Sequence, residues 1–219
     1  MIRTPRTFPA LTATISVAAL AALQSPAGAT AAPGTDVPKG KVDVALVAAK
    51  GSGCAVPVVG LAPDRTAVTV TYPKYRAQSG KGAKPADAHR ECQVAVRVKA
   101  PKGFTYGVDK AEYRGFATLG DGVVGTLRAG YHFQGSPRAA LRAYTLRGAL
   151  SSDWTMYVKT AREAVVWAPC DGREQVINVN TELLVDRGKS GAGTASSFMA
   201  MDSAEGAGST TYRLAWKRC

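Results

Sequence analysis

The chain has 219 residues, of which 46% are hydrophobic and 20% are charged, with a mean hydropathy of -0.07. These values are typical of a soluble globular domain and exclude a membrane bundle or a disordered tail. Lys and Arg outnumber Asp and Glu by 28 to 16, which gives a net charge of +12 and favours anionic partners. The two histidines and four cysteines leave few residues for metal-dependent or nucleophilic catalysis.

The N-terminus has the features of a secretory signal. Arg3 and Arg6 provide a positive start, and an apolar run covers residues 8–23. This run is shorter than the roughly twenty residues that span a bilayer. Small residues follow it in the small-x-small pattern that signal peptidase accepts, so we expect cleavage after Ala29 or Ala31.

The predicted domain organisation follows from this signal. Residues 1–31 are the signal peptide, residues 32–40 form a flexible leader rich in Pro and Gly, and residues 41–219 form a single domain. No later segment approaches the run of about eighteen apolar residues that a membrane helix needs. We therefore expect a secreted, extracellular protein without a membrane anchor.

Apolar and polar residues alternate with a period of two through most of the mature chain. Val68, Val70 and Tyr72 alternate with threonines, and the stretch from Cys92 to Val98 has the same alternation. About ten such half-buried strands, separated by Gly, Pro, Asp and Ser, predict an all-β fold, an antiparallel β-sandwich. The later predicted strands are Phe104–Val108, Glu112–Leu119, Gly125–Phe133, Leu141–Leu150, Ala164–Ala168, Gln175–Val185, Ser197–Asp202 and Thr210–Lys217.

Three segments depart from this alternation. Residues 153–165 could supply one short helix or a long loop. Residues 76–90 and, at a smaller scale, residues 186–196 contain no predicted strand and are expected to form surface loops. Long loops on a rigid sandwich are common positions for binding sites.

The four cysteines all lie in the mature part, and an even number in an exported chain predicts two disulfides. Four cysteines allow three pairings. We prefer Cys54 with Cys92 and Cys170 with Cys219, because sequential pairing closes loops of moderate length. The spacing that zinc ligands need is absent, so we expect no metal and no cofactor.

Short sequence motifs around these cysteines are similar to those of a known family. The chain resembles domain of unknown function 4360, a family of secreted proteins of actinobacteria and fungi, over residues 41–219. The resemblance implies an exported, disulfide-bonded, β-rich domain and assigns no catalytic residue. It rests on Gly51-Ser52-Gly53-Cys54, Cys92-Gln93, Phe104-Thr105-Tyr106, Tyr113-Arg114-Gly115, Trp167-x-Pro169-Cys170, Asn178-x-Asn180-Thr181-Glu182-Leu183, Phe198-Met199-x-Met201-Asp202-Ser203 and Trp216-Lys217-Arg218-Cys219.

The strongest candidate binding set lies on one predicted strand. Asn178, Asn180 and Glu182 are spaced by two residues, so a strand places them in a row on one face. Amides beside a carboxylate suit sugar hydroxyls or a calcium ion, and Asp202 could add a second carboxylate. The alternative interpretations are a solvated sheet face for the row and a turn cap for Asp202.

Charge and aromatic residues provide weaker candidates. Trp154 lies beside Ser151-Ser152-Asp153 and is predicted near a loop, where it could stack on a sugar ring. Two groups of basic residues, the first in a segment without acids between Asp121 and Asp153, favour an anionic wall polymer or acidic polysaccharide, unless they only provide solubility. The two basic groups are Arg128, Arg138, Arg142 and Arg147, and Lys74, Arg76, Lys81, Lys84 and Arg90.

These observations favour a secreted, monomeric, non-enzymatic binding or surface-associated module for a glycan or an anionic wall polymer, with no nucleic acid as partner. An extracellular polysaccharide hydrolase is the first alternative. It would need a pair among Glu112, Asp121, Glu163 and Glu174 to lie a few ångströms apart. A secreted protease inhibitor is the second alternative, because loops held by disulfides are preorganised for binding.

Overall fold

Strands account for most of the chain in the computed structural model, which describes residues 36–137, 141–188, 195–201 and 208–219. The predicted signal peptide and residues 32–35 of the predicted leader lie outside these residues. The described strands are β1 (Asp43–Lys50), β2 (Val58–Leu61), β3 (Ala67–Thr71), β4 (Arg76–Ser79), β5 (His89–Lys99), β6 (Phe104–Leu119), β7 (Val124–Phe133), β8 (Arg142–Arg147), β9 (Leu150–Lys159), β10 (Gln175–Asp186), β11 (Ser197–Ala200) and β12 (Ser209–Arg218).

These strands form two antiparallel sheets, which confirms the predicted β-sandwich. The five-stranded sheet has the order β1-β5-β10-β7-β8. The seven-stranded sheet has the order β2-β3-β12-β6-β11-β4, and β9 pairs with β6. Every strand pair is antiparallel, so each strand places alternate residues in the core and on an outer face.

The core lies between the sheets and consists of the apolar half of each strand. The five-stranded sheet contributes valines such as Val94 and Val96, and the seven-stranded sheet contributes aromatic residues such as Tyr212 and Trp216. The ring of Tyr131 in β7 packs edge-on against Tyr212 in β12 with centroids 6.0 Å apart. Aromatic side chains bury large apolar areas, so these residues dominate the contact between the sheets.

Two disulfides join Cys54 to Cys92 and Cys170 to Cys219, as predicted. Cys92 is a core residue of β5, and its bridge holds the β1–β2 connection against the end of the five-stranded sheet. The bridge at Cys219 holds residues 160–170 across the first half of β6. Thr105 in β6 donates a hydrogen bond to the Ala168 carbonyl at 2.6 Å, which supports the same arrangement.

The prediction of a short helix or long loop over residues 153–165 is wrong for most of that range. Residues up to Lys159 continue strand β9, because Trp154, Met156 and Val158 face inward in alternation with exposed residues. A single 3-10 turn at Arg162–Ala164 follows, and the predicted strand Ala164–Ala168 is reduced to one bridge between Trp167 and Gly107. The alternation was therefore the stronger signal in this region.

The predicted loop over residues 76–90 also contains regular structure. Residues Arg76–Ser79 form β4, which pairs with β11 at the end of the seven-stranded sheet. Residues Pro85–Ala88 form a 3-10 turn, and β5 begins at His89. Only the central part of the segment is a surface turn. In the described ranges, no helix has the length and apolar character that crossing a membrane requires.

Candidate functional site

The outer face of the five-stranded sheet carries the row of polar side chains predicted from the sequence. In β10, Ile177, Val179, Thr181 and Leu183 are buried, whereas Asn178, Asn180 and Glu182 are half-buried on the outer face. Asn178 and Asn180 therefore point outward from adjacent positions of that face. Their position follows from strand alternation alone.

Small residues on neighbouring strands surround these two amides. Asn178 pairs in register with Ala95 of β5 and His132 of β7, and Ala48 of β1 lies beyond Ala95. Alanine side chains beside the longer amide of Asn178 leave a depression in the sheet surface.

The next row adds longer polar groups to the same depression. Asn180 pairs in register with Gln93 of β5 and Gly130 of β7, and Lys50 of β1 lies beyond Gln93. Within the described part of the chain, the side-chain amides of Asn178, Asn180 and Gln93 have no hydrogen-bond partner. Each amide has both a donor and an acceptor to offer a ligand.

The depression is a cavity of about 460 Å³, which we call the amide cavity. Lys50 is its one permanently charged residue, and none of its described lining residues is a carboxylate. The lining combines hydrogen-bonding groups with an apolar floor, as polar ligand sites do. Its residues are Val47, Ala48, Lys50, Gln93, Val94, Ala95, His132, Gln134, Val176, Asn178, Val179 and Asn180.

Glu182 does not join the two asparagines in this cavity. Its carboxylate lies 3.6 Å from the Arg128 guanidinium and 3.7 Å from Nε2 of His89. The Glu182 carboxylate is therefore already in contact with two side chains. It lies two residues further along β10 than Asn180. Asp202, the other predicted carboxylate, lies outside the described residues.

The calcium interpretation of this row has no support among the residues that the structure describes. No group of three His, Cys, Asp or Glu side chains in those ranges could hold a metal ion. The asparagines supply amide oxygens, but the nearest carboxylate is paired with Arg128. Calcium prefers several charged oxygen ligands, so the amide cavity fits a neutral or hydroxyl-bearing ligand better.

Trp154 lies in the core rather than near a loop, which corrects its prediction as a sugar-stacking residue. The indole is 5% exposed, because Trp154 occupies an inward position of β9 opposite Gly115 of β6. A side chain at position 115 would clash with the indole ring. A sugar in solvent therefore cannot reach the face of Trp154.

Most tyrosines, like Trp154, lie in the core. Burial raises the pKa of the phenols of Tyr72, Tyr75, Tyr106, Tyr113 and Tyr212. The exposed large aromatic residues in the described ranges are Tyr144 at 37% and Tyr157 at 54%. Both lie on the side of the sandwich where β8 and β9 form the sheet edges.

The predicted basic residues are distributed over several elements. In the first group, Arg128 pairs with Glu182, whereas Arg142 and Arg147 lie at the two ends of the edge strand β8. Arg138 lies outside the described residues. In the second group, the Arg76 guanidinium stacks on the Phe198 ring at 3.6 Å, and Arg90 pairs with Asp87. Two of the described members, Arg128 and Arg90, are therefore already paired with carboxylates.

Two of the four carboxylates considered for hydrolysis, Glu112 and Glu174, lie apart. Glu112 lies on the outer face of the seven-stranded sheet and contacts Lys110 and Arg114. Glu174 lies beside β10 and contacts Arg97 and Lys99 of β5. The two carboxylates stand on different sheets, and each is paired with two cations.

Sequence reasoning identified only Asn178 and Asn180 among the residues that line the amide cavity. Gln93, Lys50 and His132 line it, but each belongs to a different strand from Asn178. The alternation of β5 gave a signal for Gln93 and Ala95, because it places both on the outer face. The register that brings β1, β5 and β7 beside β10 is a tertiary property without a local sequence signal.

Comparisons with known proteins give one family match and one relative. The model of the family described as domain of unknown function (DUF4360) matches residues 40–219. An uncharacterized secreted protein of Arthroderma benhamiae is 28% identical over 184 residues, which cover 82% of this chain and 72% of the relative. Together with the two disulfides, this relative confirms the prediction that the protein is secreted.

Solved structures show only weak likeness. A chain in the structure of infectious bursal disease virus Gx strain has 12% identity and a TM-score of 0.31, and the match covers 82% of this chain and 37% of the viral chain. TmCBM61 in complex with beta-1,4-galactotriose has 9% identity and a TM-score of 0.23, with 78% of this chain and 88% of TmCBM61 covered. At these TM-scores, neither likeness carries an argument about function.

Proposed function

This chain belongs to the family described as domain of unknown function (DUF4360), and we propose that it is a secreted binding module for an extracellular polysaccharide. The ligand lies in the amide cavity on the outer face of the five-stranded sheet. The proposal rests on three side-chain amides that lie together over a floor of small residues. They belong to Asn178, Asn180 and Gln93, and none has a hydrogen-bond partner in the described part of the chain.

The chemistry of these amides suits sugar hydroxyl groups. A hydroxyl both donates and accepts a hydrogen bond, and each amide offers one acceptor and two donor hydrogens. Each hydrogen bond adds about 0.5–1.5 kcal/mol in net terms, so several must form together for useful affinity. A sheet face supports this, because the rigid backbone of β5 and β10 fixes the spacing of the three amides.

An anionic wall polymer is a second candidate for the same cavity. Its support is the cationic side chain of Lys50 at the rim, the lack of carboxylates among the described lining residues and the net charge of +12. Attraction to such a polymer depends on charge and is screened when the Debye length falls to about 10 Å near 0.1 M salt. Neutral recognition by amides is much less sensitive to salt.

The test measures retention of the mature protein on insoluble chitin, cellulose and isolated cell wall. Asn178→Ala together with Asn180→Ala is expected to weaken retention about tenfold or more, because both amides face the ligand. The matched control is Thr155→Ala, which removes an exposed polar side chain from the outer face of the seven-stranded sheet. The control is expected to retain binding.

Salt separates the two ligand classes. Retention through sugar hydroxyls persists at roughly 1 M salt, where surface charges are screened. Retention that is lost at that salt, and that Lys50→Gln also abolishes, identifies the anionic polymer. Equal retention of the double asparagine variant and the unmodified protein on every polymer refutes the amide cavity as the binding site.

A further inference from the structure

A second, separate surface lies where the two sheets end on the same side of the sandwich. Strand β8 is the last strand of the five-stranded sheet and pairs with β7, and strand β9 pairs with β6 of the seven-stranded sheet. Among the described strands, neither β8 nor β9 has a neighbour on its other edge. Each therefore presents a row of unpaired backbone N–H and C=O groups.

Two overlapping cavities, of about 620 and 570 Å³, occupy the space beside these edges. Both are lined by Arg142 of β8 and by Val158 and Lys159 of β9. We call this space the edge groove. It lies at the side of the sandwich and shares none of the lining residues of the amide cavity, although Gly130 in its lining pairs in register with Asn180.

The edge groove combines cationic and aromatic side chains. The charged residues among its described lining are Arg142 and Lys159, and neither makes an ion pair with another described residue. The exposed rings of Tyr144 and Tyr157 stand at its mouth. The Lys110 ammonium lies 4.3 Å from the centre of the Tyr157 ring, but its charge is paired with Glu112, so the free positive charge of the groove comes from Arg142 and Lys159.

From these features we propose that the edge groove binds an extended, acidic peptide segment of another protein by strand addition. The peptide backbone hydrogen-bonds to an unpaired edge of β8 or β9, as in other β-augmentation complexes. Its carboxylates contact Arg142 and Lys159, and its alternate apolar side chains contact Met156 and Val158 in the groove.

The positive charge of the edge groove favours an acidic peptide over a second copy of this chain. Sheet edges are templates for self-association, and charged residues on them prevent it by repulsion. Two copies meeting at β8 would bring Arg142 and Arg147 of each copy together without an acidic partner in the groove. The same cations attract a peptide of opposite charge. Its extended backbone can hydrogen-bond in register with the unpaired N–H and C=O groups of the strand edge, which a polysaccharide cannot do.

The test uses a fluorescein-labelled peptide of alternating Glu and Val residues and measures its anisotropy with the mature protein. A peptide methylated on every backbone nitrogen keeps the charge and loses strand pairing at both of its edges. Arg142→Glu together with Lys159→Glu reverses the charge of the groove. The matched control, Lys81→Glu together with Lys102→Glu, makes the same net change in exposed turns outside the groove.

We expect binding of the unmodified peptide, with affinity about tenfold lower or worse after methylation and in the groove variant, and unchanged in the control variant. Equal binding of the methylated peptide shows attraction by charge alone and overturns strand addition. Equal binding by the groove variant, or no binding of the unmodified peptide, overturns the site. The asparagine variants of the amide cavity leave this binding unchanged, so the two proposals fail independently.

Discussion

The outer faces of the two sheets differ in what their polar side chains contact. On the seven-stranded sheet, Glu112 is held between Lys110 and Arg114, and Asp109 accepts hydrogen bonds from Nε and Nη2 of Arg213. Charged groups on this face are paired with one another. Residues 160–170 cover the start of β6 on the same face, where the backbone of Gly107 bridges to Trp167.

On the five-stranded sheet, paired charges flank a central region of amides. Glu174 with Arg97 and Lys99 lies on one side of this region, and Glu182 with Arg128 lies on the other. Between them, the amides have no partner in the described part of the chain. A face whose polar groups are satisfied contributes to stability, and a face whose polar groups remain available can bind a ligand.

Loss of the Cys170–Cys219 bridge should cause the largest decrease in the free energy of unfolding, and it should loosen the segment that covers the seven-stranded sheet. Cys170→Ser together with Cys219→Ser removes a loop closure of 49 residues and is expected to cost about 4 kcal/mol of unfolding free energy. Urea unfolding measures this loss. Hydrogen exchange in residues 160–169 should accelerate, because the bridge no longer holds them on β6.

Because the amide cavity lies on the other sheet, polysaccharide retention by this variant should stay unchanged at urea concentrations well below its unfolding midpoint. Loss of retention under those conditions would show that the two faces are coupled. A change in unfolding free energy below about 1 kcal/mol would show that the bridge contributes little to the cover over β6.

Substitution of Gly107 tests how closely that cover approaches the sheet. A Cβ atom at position 107 would lie 2.5 Å from Cγ1 of Val165 and 2.7 Å from the Val166 carbonyl oxygen. Gly107→Ala is therefore expected to destabilise the protein by about 1–3 kcal/mol through overpacking. The control is Gly60→Ala in β2, where a Cβ would have nothing within 4 Å. Equal urea midpoints for the two variants would contradict a close cover.

Alternation within strands made much of the fold predictable. It identified β5, β7, β10 and β12, and the number and position of the cysteines predicted both bridges. It also placed Asn178 and Asn180 on one face. These properties are local, because side-chain direction in a strand depends only on the position along that strand.

Properties that depend on distant strands were not predictable. The partners of Asn180, namely Gln93 and Gly130, come from strands far along the chain, and a shift of one residue in register would replace both. Trp154 was misplaced for a related reason. The Ser and Asp residues before it suggested a loop, but pairing with the long strand β6 extended β9 through them.

Filling the amide cavity should separate binding from stability on the five-stranded face. Ala95 is half-buried on its outer side, so Ala95→Leu adds a side chain into the cavity rather than into the core. We expect polysaccharide retention to fall about tenfold, equivalent to about 1.4 kcal/mol, with the melting temperature unchanged. Thr155→Leu, on the outer face of the seven-stranded sheet, is the matched control and should leave retention unchanged. Unchanged retention in Ala95→Leu would remove the cavity from the binding surface.

The smallest change in stability is expected from loss of the paired charges on the seven-stranded face, and this change depends on pH. Burial alone would raise the pKa of Glu112, but hydrogen bonds from Lys110 and Arg114 hold that pKa below its ordinary value of 4.5. A carboxyl whose pKa is lower in the folded state stabilises the fold while it is ionised. Its contribution is therefore complete above pH 4.5 and is lost as the pH falls through the lowered pKa.

Glu112→Gln should cost about 0.5–1 kcal/mol at neutral pH, because Arg114 is largely exposed and the ion pairs are partly screened. Below pH 4.5 the difference between the variant and the unmodified protein should shrink, since protonation removes the same charge. Urea midpoints measured from pH 7 down to about pH 3 test this convergence. Glu163→Gln, at an exposed position without an ion pair to another described residue, should follow the unmodified protein throughout. A difference between Glu112→Gln and the unmodified protein that stays constant with pH would show that packing, and not the charge of Glu112, stabilises this face.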